Sequence, residues 1–396
     1  MTGMTGHDIA AALQRDPGAP VAIRRLVLAD FRSYAALDLL VHRQMVIVTG
    51  ENGSGKTNLL EAISLLSQGR GLRRAELAAC ARAGGSGGFA ISAELETASG
   101  MIQFGTGYEP GVGGQPATRR YRVDREPVGS ARAFATHLRM VWLTPAMDSL
   151  FNGPPGDRRR FLDRLVLAVD AGHGTRVAAL ERALRQRNRV LEDGPRADRA
   201  WLEAIEREVA ELAVAVAAAR TETVARLGQL IAERRDEASP FPWADVRIEG
   251  DVEKLCATYS ALEAEDRYRA MLRDNRARDA SAGRTLNGPQ ASDLLVRHGP
   301  KNIEAGLCST GEQKALLTGL VIAHARLVAA LSGLAPLILL DEITAHFDSA
   351  RRLALFETLA EMPAQVWMTG ADVTAFAPAL DRAQVLRVEP GRVIEG

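Results

Sequence analysis

The stretch Gly50-Glu51-Asn52-Gly53-Ser54-Gly55-Lys56-Thr57 fits the pattern G-x-x-x-x-G-K-[ST] at every fixed position. An apolar run at Met45–Thr49 precedes it, and Asn58–Ser67 follows with leucine and isoleucine at helical spacing. A strand, a glycine-rich loop and a helix in this order form a phosphate-binding loop, because the loop N–H groups and the helix N-terminus both face the phosphates. We therefore predict that Lys56 reaches the β- and γ-phosphates of a nucleotide and that the Thr57 hydroxyl binds Mg²⁺.

A second acidic pattern lies near the C-terminus. Leu337-Ile338-Leu339-Leu340 predicts a buried strand, and Asp341 and Glu342 follow it directly. Alone, this is also the pattern of an ordinary strand end with a solvated turn. Together with the phosphate-binding loop it predicts that Asp341 holds Mg²⁺ and that Glu342 polarises the attacking water as the catalytic base.

The segment Ser309-Thr310-Gly311-Glu312-Gln313 precedes a long apolar helix and has two interpretations. It is a helix N-cap with a capping box, or it is a second anion site built from a hydroxyl, a glycine N–H and a helix N-terminus. In the second interpretation it binds the γ-phosphate held by another copy of the chain. The sequence leaves both open.

Composition bounds the class of protein. The chain has 396 residues, 46% hydrophobic and 25% charged, which is typical of a soluble globular protein with one large or two coupled domains. The formal net charge is zero, and this excludes a uniformly basic nucleic-acid coat. The three cysteines, Cys80, Cys256 and Cys308, lie far apart in sequence, with no CxxC pair or zinc spacing and no even set for a disulfide framework. The chain begins without a signal-peptide pattern, and Leu316–Leu340 is interrupted by polar residues, so we expect a cytoplasmic protein without a membrane span.

The middle of the chain is predicted to be helical. Two apolar stripes at helical spacing are separated by Gly194-Pro195, which predicts an antiparallel helical hairpin. The first stripe consists of Val177, Leu180, Leu184 and Leu191, and the second of Leu202, Ile205, Val209, Leu212 and Val216. A plain helical subdomain fits the same pattern.

Taken together, these motifs resemble the ATP-binding-cassette heads of the chromosome-maintenance and break-repair ATPases. More specifically, the chain resembles the RecF family of DNA replication and repair proteins from about Val21 to the C-terminus. The matching segments are Leu28-Ala29-Asp30-Phe31-Arg32-Ser33-Tyr34, Asn58–Ile63, Leu66–Gly71, Gly153-Pro154-Pro155 and Arg158–Asp163. Ala345-His346-Phe347-Asp348 matches the position of the D-loop, whose aspartate, Asp348 here, communicates between two heads.

The chain departs from the family pattern in two places. The segment Gly288-Pro289-Gln290-Ala291-Ser292-Asp293 stands where the family commonly has Gly-Pro-His-Arg-Asp-Asp, so this chain lacks the histidine and the arginine of that motif. Transporter cassettes carry a switch histidine where this chain has Thr369-Gly370. The second difference fits the RecF side of the superfamily and predicts slow hydrolysis.

The resemblance implies an α/β fold, with an ATPase head of the ATP-binding-cassette type and an inserted, mainly helical arm. The expected division is a disordered stretch at 1–20, a head at 21–115 and 300–396, and an arm at 116–299. The implied cofactors are ATP and Mg²⁺, and the implied activity is a weak, DNA-stimulated ATPase. The implied partners are a second copy of the chain, DNA at gaps, RecR and RecO, with a role in recombinase loading, replication restart and the SOS response.

Three groups of arginines are candidates for contact with the DNA backbone, because arginine pairs bidentately with phosphate. They are Arg70, Arg73 and Arg74; Arg119, Arg120, Arg122 and Arg125; and Arg158, Arg159 and Arg160. Each group is also typical of a charged surface that faces water and binds nothing. The group Arg158, Arg159 and Arg160 equally fits the salt-bridged start of a helix. Two rival functions remain: an ATPase subunit coupled to a membrane transporter, and a structural adaptor that binds ATP without hydrolysing it.

Overall fold

The computed structural model describes residues 18–111, 113, 115–194, 198–237, 239–345 and 347–396. These form two compact units. The first contains the chain up to Asp148 together with Asp236–Pro242 and Ser309–Gly396, and the second contains Ser149–Arg235 and Trp243–Cys308. The expected disorder at 1–20 falls mostly on residues 1–17, which lie outside the described residues. Ala19 makes backbone hydrogen bonds with Gly333 and Ala335, of 2.9 and 3.0 Å.

The strands and the α-helices are each numbered in chain order. The strands are β1 (Ala22–Phe31), β2 (Tyr34–Leu40), β3 (Met45–Thr49), β4 (Phe89–Thr97), β5 (Gly100–Glu109), β6 (Thr118–Val123), β7 (Glu126–Pro127), β8 (Met140–Leu143), β9 (Ala244–Glu249), β10 (Asp293–His298), β11 (Ile303–Glu304), β12 (Leu337–Leu340), β13 (Val366–Gly370), β14 (Ala383–Glu389) and β15 (Arg392–Glu395). The α-helices are α1 (Lys56–Ser64), α2 (Pro155–Val169), α3 (His173–Glu192), α4 (Arg199–Glu233), α5 (Asp251–Thr258), α6 (Ala261–Asp274), α7 (Arg276–Ala282), α8 (Thr310–Ser332) and α9 (Ser349–Ala360).

A largely parallel sheet in the first unit has the order β15-β14-β3-β13-β12-β8. β3, β12, β13 and β8 consist entirely of buried residues, as their short, continuous apolar runs predict. β13 pairs in parallel with both β3 and β12. The carboxyl ends of these three strands therefore meet at one edge of the sheet, where the loops that follow them are brought together.

A second, antiparallel sheet in the same unit has the order β2-β1-β4-β5-β6-β7. Residues alternate along β4, so that Phe89, Ile91, Ala93 and Leu95 are buried on one face. On β5, Phe104 stacks on Phe134 with ring centroids 4.5 Å apart. β6 at the far side of this sheet carries part of the second arginine group, and its residues are exposed or half-buried.

The second unit is mainly helical. α3 and α4 pack against each other, and the Leu180, Leu184, Ile205 and Val209 side chains of the two apolar stripes are buried between helices. α4 has 35 residues, which at 1.5 Å per residue gives about 50 Å. Gly194 is followed by Pro195, which lies outside the described part of the chain. A three-stranded sheet of order β11-β10-β9 completes the unit.

These units divide the chain differently from the boundaries expected from sequence. Residues 116–148, expected in the arm, lie in the first unit, because β6 pairs with β5 and β8 pairs with β12. Residues 300–308, expected in the head, lie in the second unit, since β11 pairs with β10. Strand pairing sets the boundary in both cases, with β8 joined to the sequence-distant β12 and β11 joined to the neighbouring β10.

By length and composition α8 is long and apolar enough to cross a membrane. In the structure 67% of its most apolar window is buried inside the protein. This is how a core helix behaves, and it agrees with the buried helix that the sequence predicts for this segment.

Candidate nucleotide-binding site

The phosphate-binding loop connects β3 to α1 and depends on its glycines. Gly50, Gly53 and Gly55 have φ angles of 144°, 82° and 116°, a region that residues with a Cβ rarely adopt. A Cβ on Gly50 would clash with the Val388 carbonyl, and one on Gly55 would lie 2.7 Å from Ser33 Oγ. The Tyr34 hydroxyl donates to the Gly55 carbonyl at 3.1 Å, which ties the loop to the antiparallel sheet.

Lys56 and Ser54 face the inside of this loop. The Lys56 ammonium donates to the carbonyls of Gly50 and Glu51 at 2.7 and 2.8 Å. Burial lowers the pKa of Lys56, and the Asp341 and Glu342 carboxylates oppose this effect. Ser54 Oγ is buried without a hydrogen-bond partner among the described residues. An enclosed ammonium and an unsatisfied hydroxyl in one cradle fit the phosphates of a nucleotide.

The Asp341 carboxylate accepts hydrogen bonds from two threonine hydroxyls. Thr57 Oγ1 donates to its two carboxylate oxygens at 3.0 and 3.1 Å, and Thr369 Oγ1 donates to Oδ1 at 2.7 Å. Asp341 is 6% exposed, and this burial raises its pKa, while the two threonine hydrogen bonds act in the opposite direction. The structure thus brings together Thr57 and Asp341, the two residues that the sequence assigns to Mg²⁺.

Glu342 follows Asp341 with an unusual backbone. Its φ is 49°, in the left-handed region, and its side chain is exposed. Its N–H donates to Thr369 Oγ1 at 2.8 Å, and its carbonyl accepts from Lys314 Nζ at 3.4 Å. A residue held in a sparsely populated conformation by its surroundings is common at catalytic sites. The arrangement leaves the Glu342 carboxylate accessible to water beside the phosphate-binding loop.

Gly370, the second residue of Thr369-Gly370, ends β13 against an aromatic ring. A Cβ at this position would lie 2.5 Å from Cε2 of Phe376, which is fully buried, and 3.1 Å from Thr344 Oγ1. The space that a side chain at 370 would need is therefore filled by Phe376. A residue with a side chain at 370 would therefore require the Phe376 ring to move.

Ser309–Gln313 forms the N-terminus of α8. The Glu312 N–H donates to Ser309 Oγ at 3.4 Å, and the Ser309 N–H donates to Glu312 Oε2 at 3.1 Å. The capping box is thus present. Ser309 and Thr310 are exposed, so the positive end of a 23-residue helix also faces solvent. The two interpretations of this segment are compatible with each other.

Asp348, the predicted D-loop aspartate, caps α9 by accepting the Arg351 N–H at 2.8 Å. Its side chain is exposed. His346 of the same segment lies outside the described residues.

Sequence reasoning missed two residues that hold this site. The sequence singles out Thr369 only as the neighbour of the position where transporter cassettes carry a histidine. In the structure its hydroxyl contacts both Asp341 and Glu342. Lys314 is one of only four lysines in the chain and directly follows Gln313. Its Nζ lies 3.4 Å from both Asp148 Oδ2 and the Glu342 carbonyl. The scarcity of lysine was the one signal that could have singled it out.

The first arginine group lies after α1. Arg70 pairs with Glu76 at 2.6 Å. Arg73 donates to Asn58 Oδ1 at 2.8 Å and lies 3.3 Å from the buried Glu61 carboxylate. Arg74 is exposed and has a φ of 55°. The group is accessible, although two of its members are already engaged by carboxylates.

The second group is split by the structure. Arg119 points inwards and donates to the carbonyls of Leu65 and Gly69 at 2.7 and 2.6 Å, at the C-terminal end of α1. Arg120 pairs with Glu109 at 3.0 Å. Arg122 and Arg125 are exposed and form no ion pair within the described ranges. These arginines line a groove of about 930 Å³ on the antiparallel sheet.

The third group is largely internal to the second unit. Arg158 makes two hydrogen bonds to the Asp293 carboxylate, of 2.8 and 2.7 Å, and Arg159 donates to the Ser292 carbonyl at 2.8 Å. Arg160 pairs with Asp157 one turn away. These contacts favour the interpretation as a salt-bridged helix start, because two of the three guanidinium groups are used to join α2 to the Gln290–Asp293 segment.

Known proteins resemble this chain over almost its whole length. Residues 22–392 match the family described as RecF/RecN/SMC N terminal domain. The DNA replication and repair protein RecF of Mesorhizobium japonicum is 52% identical over 95% of this chain and 98% of its own length. For RecF of Rhizobium etli the identity is 51%, over 94% and 98%.

Solved structures agree in fold. A structure of the recombination mediator protein RecF with bound ATP superimposes with a TM-score of 0.82 at 18% identity, covering 96% of this chain and 98% of that one. The Smc head domain of Pyrococcus furiosus gives a TM-score of 0.50 at 15% identity, covering 95% and 96%. This confirms the expected α/β head of the ATP-binding-cassette type. The chain therefore belongs to the RecF family of DNA replication and repair proteins.

Proposed function

We propose that this protein is an ATP-dependent DNA-binding repair protein. ATP drives two copies to dimerise, the dimer clamps duplex DNA near the single-strand/double-strand junctions of gaps, and slow hydrolysis resets it. The observation that carries the proposal is the arrangement of Thr57, Asp341, Glu342 and Thr369 beside the phosphate-binding loop. The name of a related structure, RecF with ATP, supports the choice of nucleotide.

Lys56, Ser54 and the loop N–H groups would hold the phosphates of ATP, and Thr57 and Asp341 would hold Mg²⁺. Bound Mg²⁺ neutralises phosphate charge and orients the terminal phosphoryl group. Glu342 would accept a proton from the attacking water, since its carboxylate is exposed at the end of β12. This chain has Thr369-Gly370 where transporter cassettes carry a switch histidine. We therefore expect slow, DNA-stimulated turnover.

The exposed N-terminus of α8 supports the proposed dimer. Ser309 and Thr310 present a hydroxyl pair at a helix N-terminus, where an anion is stabilised. We propose that this end contacts the γ-phosphate held by the second copy, with Asp348 at the same interface. ATP then makes contacts in the dimer that it lacks in the monomer, which is what allows it to act as a switch.

For the DNA surface, Arg122 and Arg125 are the strongest members of the three arginine groups. Both are exposed and neither forms an ion pair in the part of the chain that the structure describes. Binding a phosphate then breaks no existing pair, unlike at Arg70 or Arg160. Contact through phosphates predicts binding that depends little on sequence and strongly on salt.

We also propose RecR and RecO as partners and a role in recombinase loading, replication restart and SOS induction. The support is the description of the similar structure as a recombination mediator in the RecFOR pathway. The named relatives are DNA replication and repair proteins, which argues against a transporter subunit.

The test is binding of the protein to gapped and to blunt duplex DNA with ATP, with ADP and without nucleotide, at fixed salt. We expect ATP-dependent binding with a preference for gaps, and its loss in Lys56→Ala because that variant lacks the phosphate-binding ammonium. DNA binding that is equally strong with ATP, with ADP and without nucleotide would contradict the proposed ATP-dependent clamp. The absence of DNA binding in all three conditions would contradict it as well. Multiple-turnover phosphate release, abolished in Glu342→Gln, would exclude a static adaptor.

The same assay locates the DNA surface. In Arg122→Gln/Arg125→Gln we expect weaker binding to all sequences and a salt dependence reduced by about one unit of slope per lost phosphate contact. Arg247→Gln is the control for loss of an exposed arginine elsewhere, since Arg247 is 73% exposed in the second unit, where it pairs with Asp245 at 3.0 Å. Equal losses in the control would mean that general charge, and not this surface, governs binding.

A further inference from the structure

We propose that Thr369 is a positioning residue that fixes both acidic residues of the site, Asp341 through its side chain and Glu342 through its backbone. This inference rests on the proposed ATPase function. It assigns a role to the residue next to the position where other cassettes carry their histidine. That role needs only the hydroxyl group of the side chain.

The hydrogen bonds of Thr369 leave one consistent assignment. A hydroxyl has one proton to donate and two lone pairs to accept. The Glu342 N–H donates to Thr369 Oγ1 at 2.8 Å, so the hydroxyl proton is directed to Asp341 Oδ1, 2.7 Å away. Thr369 is fully buried, so no solvent competes for either bond. One hydroxyl therefore connects the metal-binding carboxylate to the peptide of the catalytic base.

The backbone of Glu342 needs this support. With a φ of 49° the residue is in a conformation that side chains with a Cβ disfavour. Its N–H is held by Thr369 and its carbonyl accepts from Lys314 and from the Ala345 N–H at 3.3 Å. Without the Thr369 hydroxyl, the N–H would be left unpaired beside a buried strand, and a relaxed backbone would turn the Glu342 carboxylate away.

The two threonines share the Asp341 carboxylate unequally. Thr57 contacts both oxygens at 3.0 and 3.1 Å, whereas Thr369 contacts Oδ1 alone and at a shorter distance. If Thr57 bound Mg²⁺ instead of Asp341, the Thr369 hydroxyl would still hold Asp341 Oδ1. Such outer hydrogen bonds orient metal ligands, and removing one commonly lowers metal affinity or activity by about 10- to 100-fold.

The strand register explains why this position carries a hydroxyl. β13 pairs in parallel with β12, with Met368 opposite Leu340, so Thr369 lies level with Asp341. The preceding residues, Val366, Trp367 and Met368, are buried and apolar. Valine has nearly the same shape as threonine and would suit the packing equally well, apart from the two hydrogen bonds.

The test compares Thr369→Val, Thr369→Ser and wild type in ATP turnover and in ATP-dependent dimerisation, each as a function of Mg²⁺ concentration. In Thr369→Val we expect about a tenfold or greater rise in the Mg²⁺ concentration for half-maximal dimerisation and about a tenfold or greater fall in kcat. ATP binding measured in EDTA should be unchanged. Thr369→Ser keeps the hydroxyl and should restore both properties.

Thr223→Val is the matched control, because the Thr223 hydroxyl is buried and donates to the Ala219 carbonyl within α4. It should leave the Mg²⁺ dependence unchanged. Should Thr369→Val fail to fold, Thr369→Ala also removes the hydroxyl and adds no bulk. A hydroxyl-free variant with wild-type Mg²⁺ dependence and kcat would overturn the proposal, as would equal defects in Thr369→Ser. If wild type itself neither binds ATP nor dimerises, the proposed function fails instead.

Discussion

Glu253 is a carboxylate inside the second unit, 3% exposed at the start of α5. The Arg220 guanidinium lies 3.9 Å from its Oε1, while the same guanidinium makes closer hydrogen bonds to Asp163, of 2.8 and 2.9 Å. Burial raises the pKa of Glu253, with Arg220 and Ser292 opposing the effect and Asp251 adding to it. The folded protein therefore holds a proton on Glu253 more tightly than the unfolded chain does.

The sign of the pH dependence follows from this. When the pKa of a carboxyl group rises on folding, its protonated form stabilises the folded protein. This contribution is complete below the ordinary pKa of 4.5, which applies to the unfolded chain, and it is lost as the pH rises through the pKa of the folded protein. Glu253→Gln should match wild type in unfolding free energy near pH 4 and exceed it increasingly above, by up to about 1.4 kcal/mol per unit of pKa shift. Urea denaturation at several pH values measures the gap, with the exposed Glu211→Gln as control. A gap that does not change with pH would contradict this.

At the scale of elements, Arg119 connects the antiparallel sheet to the helix that follows the phosphate-binding loop. Its guanidinium donates to the carbonyl of Leu65, the C-cap of α1, which the helix cannot pair internally, and to the carbonyl of Gly69 in the exposed loop that follows. Burial lowers the pKa of Arg119. Its Nε–H also donates a hydrogen bond to the Thr106 hydroxyl, at 3.2 Å. These contacts make Arg119 a structural residue rather than one available to DNA.

Arg119→Ala should therefore lower the unfolding free energy by about 1–3 kcal/mol, because the part-buried Leu65 carbonyl loses a charged donor and the exposed Gly69 carbonyl loses a second one. Arg122→Ala, three residues along the chain and exposed, should change stability by less than about 0.5 kcal/mol. Thermal and denaturant unfolding of both variants provide the measurement. Equal stability of the two variants, with reduced DNA binding in Arg119→Ala, would restore Arg119 as a DNA contact.

At the scale of the whole molecule, the prediction concerns association. Ser309→Arg should leave ATP binding intact and prevent ATP-dependent dimerisation, since a bulky cation would occupy the proposed anion site at the N-terminus of α8. Sedimentation with and without ATP, beside nucleotide-binding measurements, tests this. A normal dimer would mean that Ser309 is only a helix cap.

Ser309→Arg also removes a helix cap, and a variant at an equivalent capping residue controls for this effect. Ser260 forms a second capping box with Glu263 at the start of α6. Ser260→Arg should lose a similar capping contribution, about 1 kcal/mol, and still dimerise. Failure of both variants to dimerise would assign the effect to stability instead of to the interface.

Local sequence patterns were enough to identify the candidate site residues that lie at the carboxyl ends of the strands. Gly50–Thr57 and Asp341-Glu342 are read from such patterns, because glycine, lysine, threonine and carboxylate are needed there whatever surrounds them. The helical stripes of α3 and α4 were equally visible, since an amphipathic helix carries its period in the chain. The family followed from the order of these motifs, and the comparisons confirmed it.

The remaining side chains acquire their roles from tertiary contacts. Arg119 and Arg122 look alike in sequence, and their opposite directions on β6 make one a helix cap and the other an exposed cation. Thr369 acquires its role from the pairing of β12 with β13, and Gly370 from the Phe376 ring. The boundary between the units depends on strands paired across long stretches of chain. Contacts of this kind join residues distant in sequence, and local patterns carry no record of them.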